Sequence, residues 1–195
     1  MASPEAFAVL DARSGRVLES QRPDAAALPG STVKPFLPIR GVYPCHGTLR
    51  IGGHRLDCTH LPVSMPLDPV QALALSCNCY FAQAILAVPP DQARQALRDF
   101  QPLLATTDEQ RQLQALGHWG VLATPLRLAR AYRTLWQQNP GRISGGKTGT
   151  TAQAAWYAGW APVDQPRIVV AVMTGGRGAT NAQPAAQELI AKWLR

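Results

Sequence analysis

The chain has 195 residues, of which 46% are apolar and only 16% charged, which excludes a disordered polymer and leaves enough material for a packed core. Its net charge of +7 is spread along the sequence, with no Lys/Arg run or basic stripe to mark a nucleic-acid-binding arm; spread positive charge can draw in anionic partners such as a substrate carboxylate or a cell-wall polymer, and a solvated basic surface accounts for it equally well. The best apolar runs, Ile168–Met173 and the stretch around Ala72–Leu75, fall far short of a bilayer span, and Met1-Ala2-Ser3-Pro4 lacks the apolar segment of a signal peptide. The expectation is a cytosolic protein or a mature domain cut from a longer secreted precursor.

In chain order, Phe7–Asp11 and Arg16–Glu19 flank Arg13-Ser14-Gly15 and read as a hairpin. Pro29-Gly30 breaks the chain before Ser31, which opens a helix; Pro35 is tolerable in a first turn, and Pro38 keeps the helix short or kinked. Leu49–Leu56, with Gly52-Gly53 at its centre, reads as a tight hairpin bracketed by Cys45 and Cys58. Asp68 and Pro69 suit the cap and first position of a helix through Leu75, and a second helix runs from Asn78 to Leu86. Asp91–Phe100, Thr107–Leu116 and Pro125–Gln137 carry helical patterns, the last capped by Thr124 and ended by Asn139-Pro140-Gly141. Ala154–Trp160 and Arg167–Met173 are strands, and Asn181–Leu194 is a helix. Strands at both ends with helices between predict one α/β (α+β) domain over residues 1–195, its terminal elements sharing a sheet.

Four cysteines, Cys45, Cys58, Cys77 and Cys79, leave three readings open. Cross-strand pairing would join Cys45 to Cys58 as a disulfide. Cys45-His46 and Cys58-x-His60 would offer two thiolates and two imidazoles to zinc. Free thiols are the third.

Three short motifs carry chemistry. Ser31-x-x-Lys34 puts a hydroxyl and an amine on one helix face, where the amine can take the proton that makes serine nucleophilic. Its bland reading is a capped helix with a surface lysine. Ser76-Cys77-Asn78 sits at a break between two helices, where the hydroxyl and carboxamide can meet a peptide bond; its bland reading is an N-cap by Ser76 or Asn78. Lys147-Thr148-Gly149-Thr150 offers a cation, two hydroxyls and a glycine, suited to a peptide carboxylate. Gly141–Thr148 also matches the phosphate-loop string, but no apolar strand precedes Gly141 and strand-like sequence follows Thr150, so nucleotide binding ranks low.

In this order the three motifs resemble the serine penicillin-recognising enzymes. Pro29-Gly30-Ser31-Thr32-Val33-Lys34-Pro35-Phe36 looks like the transpeptidase form of the first motif, and Ala72–Phe81 like the segment around the second. Thr124-Pro125-Leu126 with Leu128-Ala129 and Ala131-Tyr132 resembles the helix between motifs two and three, and Trp156–Pro162 the strand after the third. The resemblance implies a β-lactamase/transpeptidase-like fold, an antiparallel sheet from both chain ends flanked by helices, with a reduced all-helical part. It implies a D,D-peptidase, transpeptidase or carboxypeptidase, acting on D-alanyl-D-alanine stem peptides of peptidoglycan and acylated by β-lactams at Ser31. Lys34 would be general base, Ser76 the proton relay to the leaving nitrogen, and Asn78 a ligand for the acyl-side amide. Lys147, Thr148, Gly149 and Thr150 would bind the terminal carboxylate, and the Ser31 and Thr150 N–H groups would form the oxyanion hole. No cofactor and no metal is required, and the setting would be periplasmic or extracytoplasmic. Pro38, the short middle, and His118-Trp119-Gly120 in place of Gly-Gln-Gly depart from the pattern; they motivate the alternative of a non-catalytic peptide- or β-lactam-binding sensor. Glu109, the only glutamate between motifs two and three, lacks the surroundings of a deacylating base, which disfavours a class A β-lactamase.

Overall fold

The structure, a computed structural model, describes residues 4–175 and 181–195. In chain order the elements are β1 (Ala6–Asp11), β2 (Val17–Gln21), a 3-10 helix (Gly30–Phe36), β3 (Arg50–Ile51), β4 (His54–Arg55), α1 (Pro69–Ala74), α2 (Asn78–Ala84), α3 (Pro90–Ala96), α4 (Asp108–Ala115), α5 (Pro125–Gln138), β5 (Gly146–Thr150), β6 (Ala154–Ala161), β7 (Ile168–Gly175) and α6 (Gln183–Leu194). Shorter 3-10 turns follow α2 at Ile85–Ala87 and α3 at Arg98–Phe100. The chain forms two compact units, one of residues up to Thr32 and from Leu122 on, the other Val33–Val121. No helix among the described residues is long and apolar enough to cross a membrane.

The first unit is a five-stranded sheet in the order β2-β1-β7-β6-β5, every neighbouring pair antiparallel. The expected sheet built from both chain ends is therefore present. Strand alternation sorts its residues onto two faces. Phe7, Val172 and Tyr157 stand in register and, with Val9 and Val170, meet Leu189, Ile190 and Trp193 of α6. One residue along, Ala8, Ala171 and Ala158 form a fully buried row on the opposite face, and α5 packs on the same three strands. Methyl-sized side chains let this helix approach closely. Its buried Leu128, Ala129, Ala131, Tyr132 and Leu135 follow the helical period, and Thr124 caps it by accepting the Arg127 N–H.

The second unit is mostly helical. Asp68 closes a capping box on α1 with Gln71, and Pro69 fills the first helical position. Helix α2 packs against α4 over a core that includes Tyr80, Phe81, Leu97, Phe100 and Leu116. Phe36 meets Phe100 edge-on, with ring centroids 5.1 Å apart. Between Ile39 and Pro69 lies a strap with only Ile51 and Leu67 buried. Its two-residue strands β3 and β4 turn through Gly52 and Gly53, both at positive φ, as the Gly-Gly pair predicts.

Boundaries differ from expectation in physically readable ways. The helix opened by Ser31 is 3-10 throughout and ends at Phe36, because Leu37 precedes Pro38 and is steered away from helical backbone. The continuous helix expected over Asp91–Phe100 is split at Leu97. Helix α6 begins at Gln183 rather than Asn181, whose side chain instead accepts the Gln183 N–H.

Candidate active site

In the first unit, Ser31 is the half-buried second residue of the 3-10 helix. The backbone around it is anchored by side chains of the sheet and of α5. Trp156 Nε1 donates to Leu28 O at 3.0 Å, Tyr132 Oη donates to Thr32 O at 2.9 Å, and Thr32 Oγ1 donates to Pro29 O at 2.9 Å. The Lys147-Thr148-Gly149-Thr150 motif, expected to precede a strand, is itself β5 at the sheet edge. It lies backbone-to-backbone against the start of the helix. A Cβ on Gly30 would sit 2.7 Å from Thr150 N, and one on Gly149 would sit 2.3 Å from Pro29 O and 2.9 Å from Thr32 N. Only glycine permits this approach, and Gly30 also takes φ +54. Lys147 loses basicity through burial, to about 8, and its Nζ donates to Thr148 O at 3.2 Å. Residues after Gly145 are strand, so the Gly141–Thr148 string opens no helix and lacks the N-terminal amides that cradle phosphate.

In the second unit, Lys34 is fully buried, and its ammonium is held by motif two. Lys34 Nζ donates to Asn78 Oδ1 at 2.6 Å and to Ser76 O at 2.8 Å, and lies 3.4 Å from Ser76 Oγ. A lysine offers only donors, so the Asn78 oxygen faces it; the amide nitrogen donates to Leu56 O at 3.0 Å. The Phe81 ring lies below Nζ, 5.1 Å to its centroid. His118 is pushed down to about 4 by burial and by the Lys34 charge, which keeps its imidazole neutral.

The turn that presents Ser76 is strained. Ser76 N donates to Leu73 O and Cys77 N to Ala72 O, the paired bonds that close a helix through a left-handed residue. Glycine ordinarily fills that place, yet Ser76 occupies it with φ +53. The N-cap of α2 is Cys77, whose sulfur accepts the Tyr80 N–H; neither Ser76 nor Asn78 caps it, contrary to the bland reading.

Of the eight residues singled out from sequence, Lys34, Ser76 and Asn78 meet in the second unit, while Ser31 and the four residues of β5 belong to the first. Ser31 and Lys34 are three residues apart within the Gly30–Phe36 3-10 helix. Sequence reading missed the anchoring Tyr132 and Trp156, the strained turn at Ser76, and His118 beside Lys34. Cys45 Sγ and Cys58 Sγ lie 3.6 Å apart and all four cysteines are free, so the structure contains no disulfide at this hairpin.

No protein-family model matches the sequence, and no curated protein does. Solved structures match in fold. Penicillin-binding protein A from Mycobacterium tuberculosis, as its penicillin G acyl-enzyme complex, superposes with TM-score 0.79 at 16% identity over 99% of this chain and 75% of that one. Penicillin-binding protein 2 from Pseudomonas aeruginosa, in complex with WCK 5153, gives 0.75 at 16% identity over 99% and 74%. The transpeptidase domain of Burkholderia pseudomallei penicillin-binding protein 3 gives 0.70 at 16% identity over 87% and 79%. The fold is thus that of penicillin-binding transpeptidase domains.

Proposed function

We propose that this chain is a serine D,D-peptidase acting through a Ser31 acyl-enzyme, on D-alanyl-D-alanine peptides of peptidoglycan and on β-lactams as their mimics. The observation that carries the reading is the buried Lys34 side chain, its Nζ held by Ser76 and Asn78 from 42 and 44 residues away. An unsatisfied buried lysine is costly, and a structural role would be filled more cheaply by an apolar side chain. A base beside the nucleophile and a hydroxyl beside the base are what acyl transfer needs.

In this reading Lys34 reacts as the neutral amine, its proton already released: Ser31 Oγ attacks the penultimate D-alanine carbonyl and passes its proton to the Lys34 Nζ lone pair. The carbonyl oxygen takes the negative charge, stabilised by the N–H groups of Ser31 and Thr150. Collapse breaks the peptide bond; the leaving nitrogen receives a proton relayed by Ser76 Oγ, and terminal D-alanine departs. Water or an amine then attacks the ester, which distinguishes carboxypeptidase from transpeptidase. Lys147, with Thr148 and Thr150, holds the terminal carboxylate. Asn78 orients Lys34 through Oδ1, and its oxygen retains a second lone pair for the acyl-side amide of the substrate. Peptidoglycan lies outside the cytoplasmic membrane, so this reading places the domain there.

The test is intact-mass analysis after exposure to a β-lactam, with the adduct mapped by peptide. Acylation of Ser31, lost in Ser31→Ala, is expected. A folded protein that neither forms the adduct nor turns over a D-alanyl-D-alanine peptide would refute the proposal. An adduct without peptide turnover would select the sensor alternative.

A further inference from the structure

Four sulfurs and an imidazole converge in the second unit, beside motif two. Cys58 Sγ lies 3.6 Å from Cys45 Sγ, 3.7 Å from Cys77 Sγ and 3.6 Å from Cys79 Sγ, and Cys45 Sγ lies 3.7 Å from His60 Nε2. The candidate ligand atoms of Cys45, Cys58, His60 and Cys77 all lie within 4.8 Å of one another. A tetrahedral zinc with bonds of about 2.3 Å to sulfur and about 2.0 Å to nitrogen sets its ligands about 3.8 Å (S–S) and about 3.5 Å (S–N) apart. Three of the six ligand pairs, Cys45–Cys58, Cys58–Cys77 and Cys45–His60, match that shell, and the remaining pairs lie within 4.8 Å.

The surroundings are those of metal ligands rather than of packed thiols. Backbone N–H groups of Gly47, Cys79 and Tyr80 donate to the sulfurs of Cys45, Cys58 and Cys77, each at 3.4 Å. Such bonds favour the thiolate, the form that binds metal. His60 Nδ1 lies 2.7 Å from Leu61 O. A carbonyl can only accept, so the proton sits on Nδ1 and the Nε2 lone pair faces the sulfurs. Cys79 stands outside the shell, with its thiol on Thr48 O at 3.5 Å.

We propose that Cys45, Cys58, His60 and Cys77 form a structural zinc site that clamps the strap between Ile39 and Pro69 onto the Ser76-Cys77-Asn78 turn. Three thiolates and an imidazole select zinc over magnesium, calcium or manganese, and four protein ligands leave no open position for catalysis. The strap, with only two buried side chains, lacks an apolar core to hold it, which is the situation in which a metal supplies folding energy. The clamp reaches the motif directly. Cys77 lies between Ser76 and Asn78, and Leu56, which accepts the Asn78 amide, lies two residues before Cys58. His46, the second imidazole of the sequence-level zinc reading, is exposed and takes no part, and Cys77 takes its place. This inference does not depend on the chain being an active peptidase.

The chain, purified without chelator and with zinc supplied, is measured for metal content and by X-ray absorption at the zinc edge. About one zinc per chain, in a shell of three sulfurs and one nitrogen, is expected. Cys45→Ser, Cys58→Ser and His60→Ala each lose the metal, while Cys79→Ser keeps it. Because a ligand variant can fail to fold, cobalt is also loaded into the unmutated chain, where sulfur-to-cobalt charge transfer and tetrahedral d–d bands are expected. Chelation of the unmutated protein lowers its thermal midpoint. A zinc-free protein after reconstitution, an oxygen-only shell, a disulfide among these cysteines in the freshly purified protein, or a full zinc load in Cys58→Ser would each overturn the proposal.

Discussion

Replacing Ser76 with glycine separates what the turn needs from what the chemistry needs. Ser76 sits at φ +53, where a side chain costs about 1–2 kcal/mol relative to ordinary helical backbone. Glycine removes that strain but brings about 0.5–1 kcal/mol of extra unfolded-state entropy. Either Ser76→Gly or Ser76→Ala loses the hydroxyl, whose contact with Lys34 Nζ at 3.4 Å is long and worth less than the usual ~1 kcal/mol of a hydrogen bond. The two variants thus differ mainly in backbone strain. Ser76→Gly is expected to be about 0.5–1 kcal/mol more stable than Ser76→Ala, roughly 2 °C in thermal midpoint for a chain of this size. Acylation by a β-lactam falls in both by about 10²–10⁴, the usual contribution of a positioned proton-transfer group. Urea titration and stopped-flow acylation of the three proteins measure both quantities. Equal stability of the alanine and glycine variants refutes the strain argument, and full-speed acylation by either refutes the hydroxyl's role.

Two further expectations follow from the first unit. Lys147 titrates near 8 because burial opposes its charge, so the cation is present below that pH and lost above it. The second-order rate of acylation by a carboxylate-bearing β-lactam should fall as pH rises through about 8, and Lys147→Arg should move this limb upward; an unmoved limb assigns it to another group. Gly149→Ala places a Cβ 2.3 Å from Pro29 O and should lower stability by about 1–3 kcal/mol of overpacking, read by urea titration, along with the acylation rate. Gly141→Ala, with nothing within 4 Å of its Cβ, should change neither.

Elements whose signals are local were legible in the sequence. Asp68-Pro69 and Thr124-Pro125 start helices where a cap and a first-turn proline predict them, and Gly52-Gly53 turns the hairpin they imply. The sheet strands β1, β6 and β7 were readable from their apolar runs, because each is buried on both faces. Strand β5 was not, since Gly146–Thr150 has no apolar alternation; its pairing with β6 and its approach to the 3-10 helix make it a strand. The convergence of Lys34 with Ser76 and Asn78 was legible only as a resemblance, for no periodicity links residues 42 and 44 apart. The thiol cluster is similarly non-local. Cys45 and Cys58 could be seen as neighbours across a hairpin, but Cys77 joins them through the fold of α2 against the strap.

The tripeptide Ser76-Cys77-Asn78 shows how one turn meets several demands at once. The left-handed residue ends α1 and aims the Ser76 carbonyl and the Asn78 oxygen at Lys34 Nζ. A protein that needed only this reversal would carry glycine at 76, since the bonds from Ser76 N and Cys77 N that close the helix require backbone alone. A protein that needed only a cap for α2 would carry serine, threonine or aspartate at 77, whose oxygen accepts a backbone N–H better than the Cys77 sulfur does at 3.4 Å. At both positions the residue present is the poorer choice for local structure. Each instead supplies a group that local structure does not use: a hydroxyl beside a buried ammonium, and a thiol 3.7 Å from Cys58. A strained residue followed by a weak cap is the local cost expected where side chains are kept for the proposed chemistry and metal binding rather than for the turn itself.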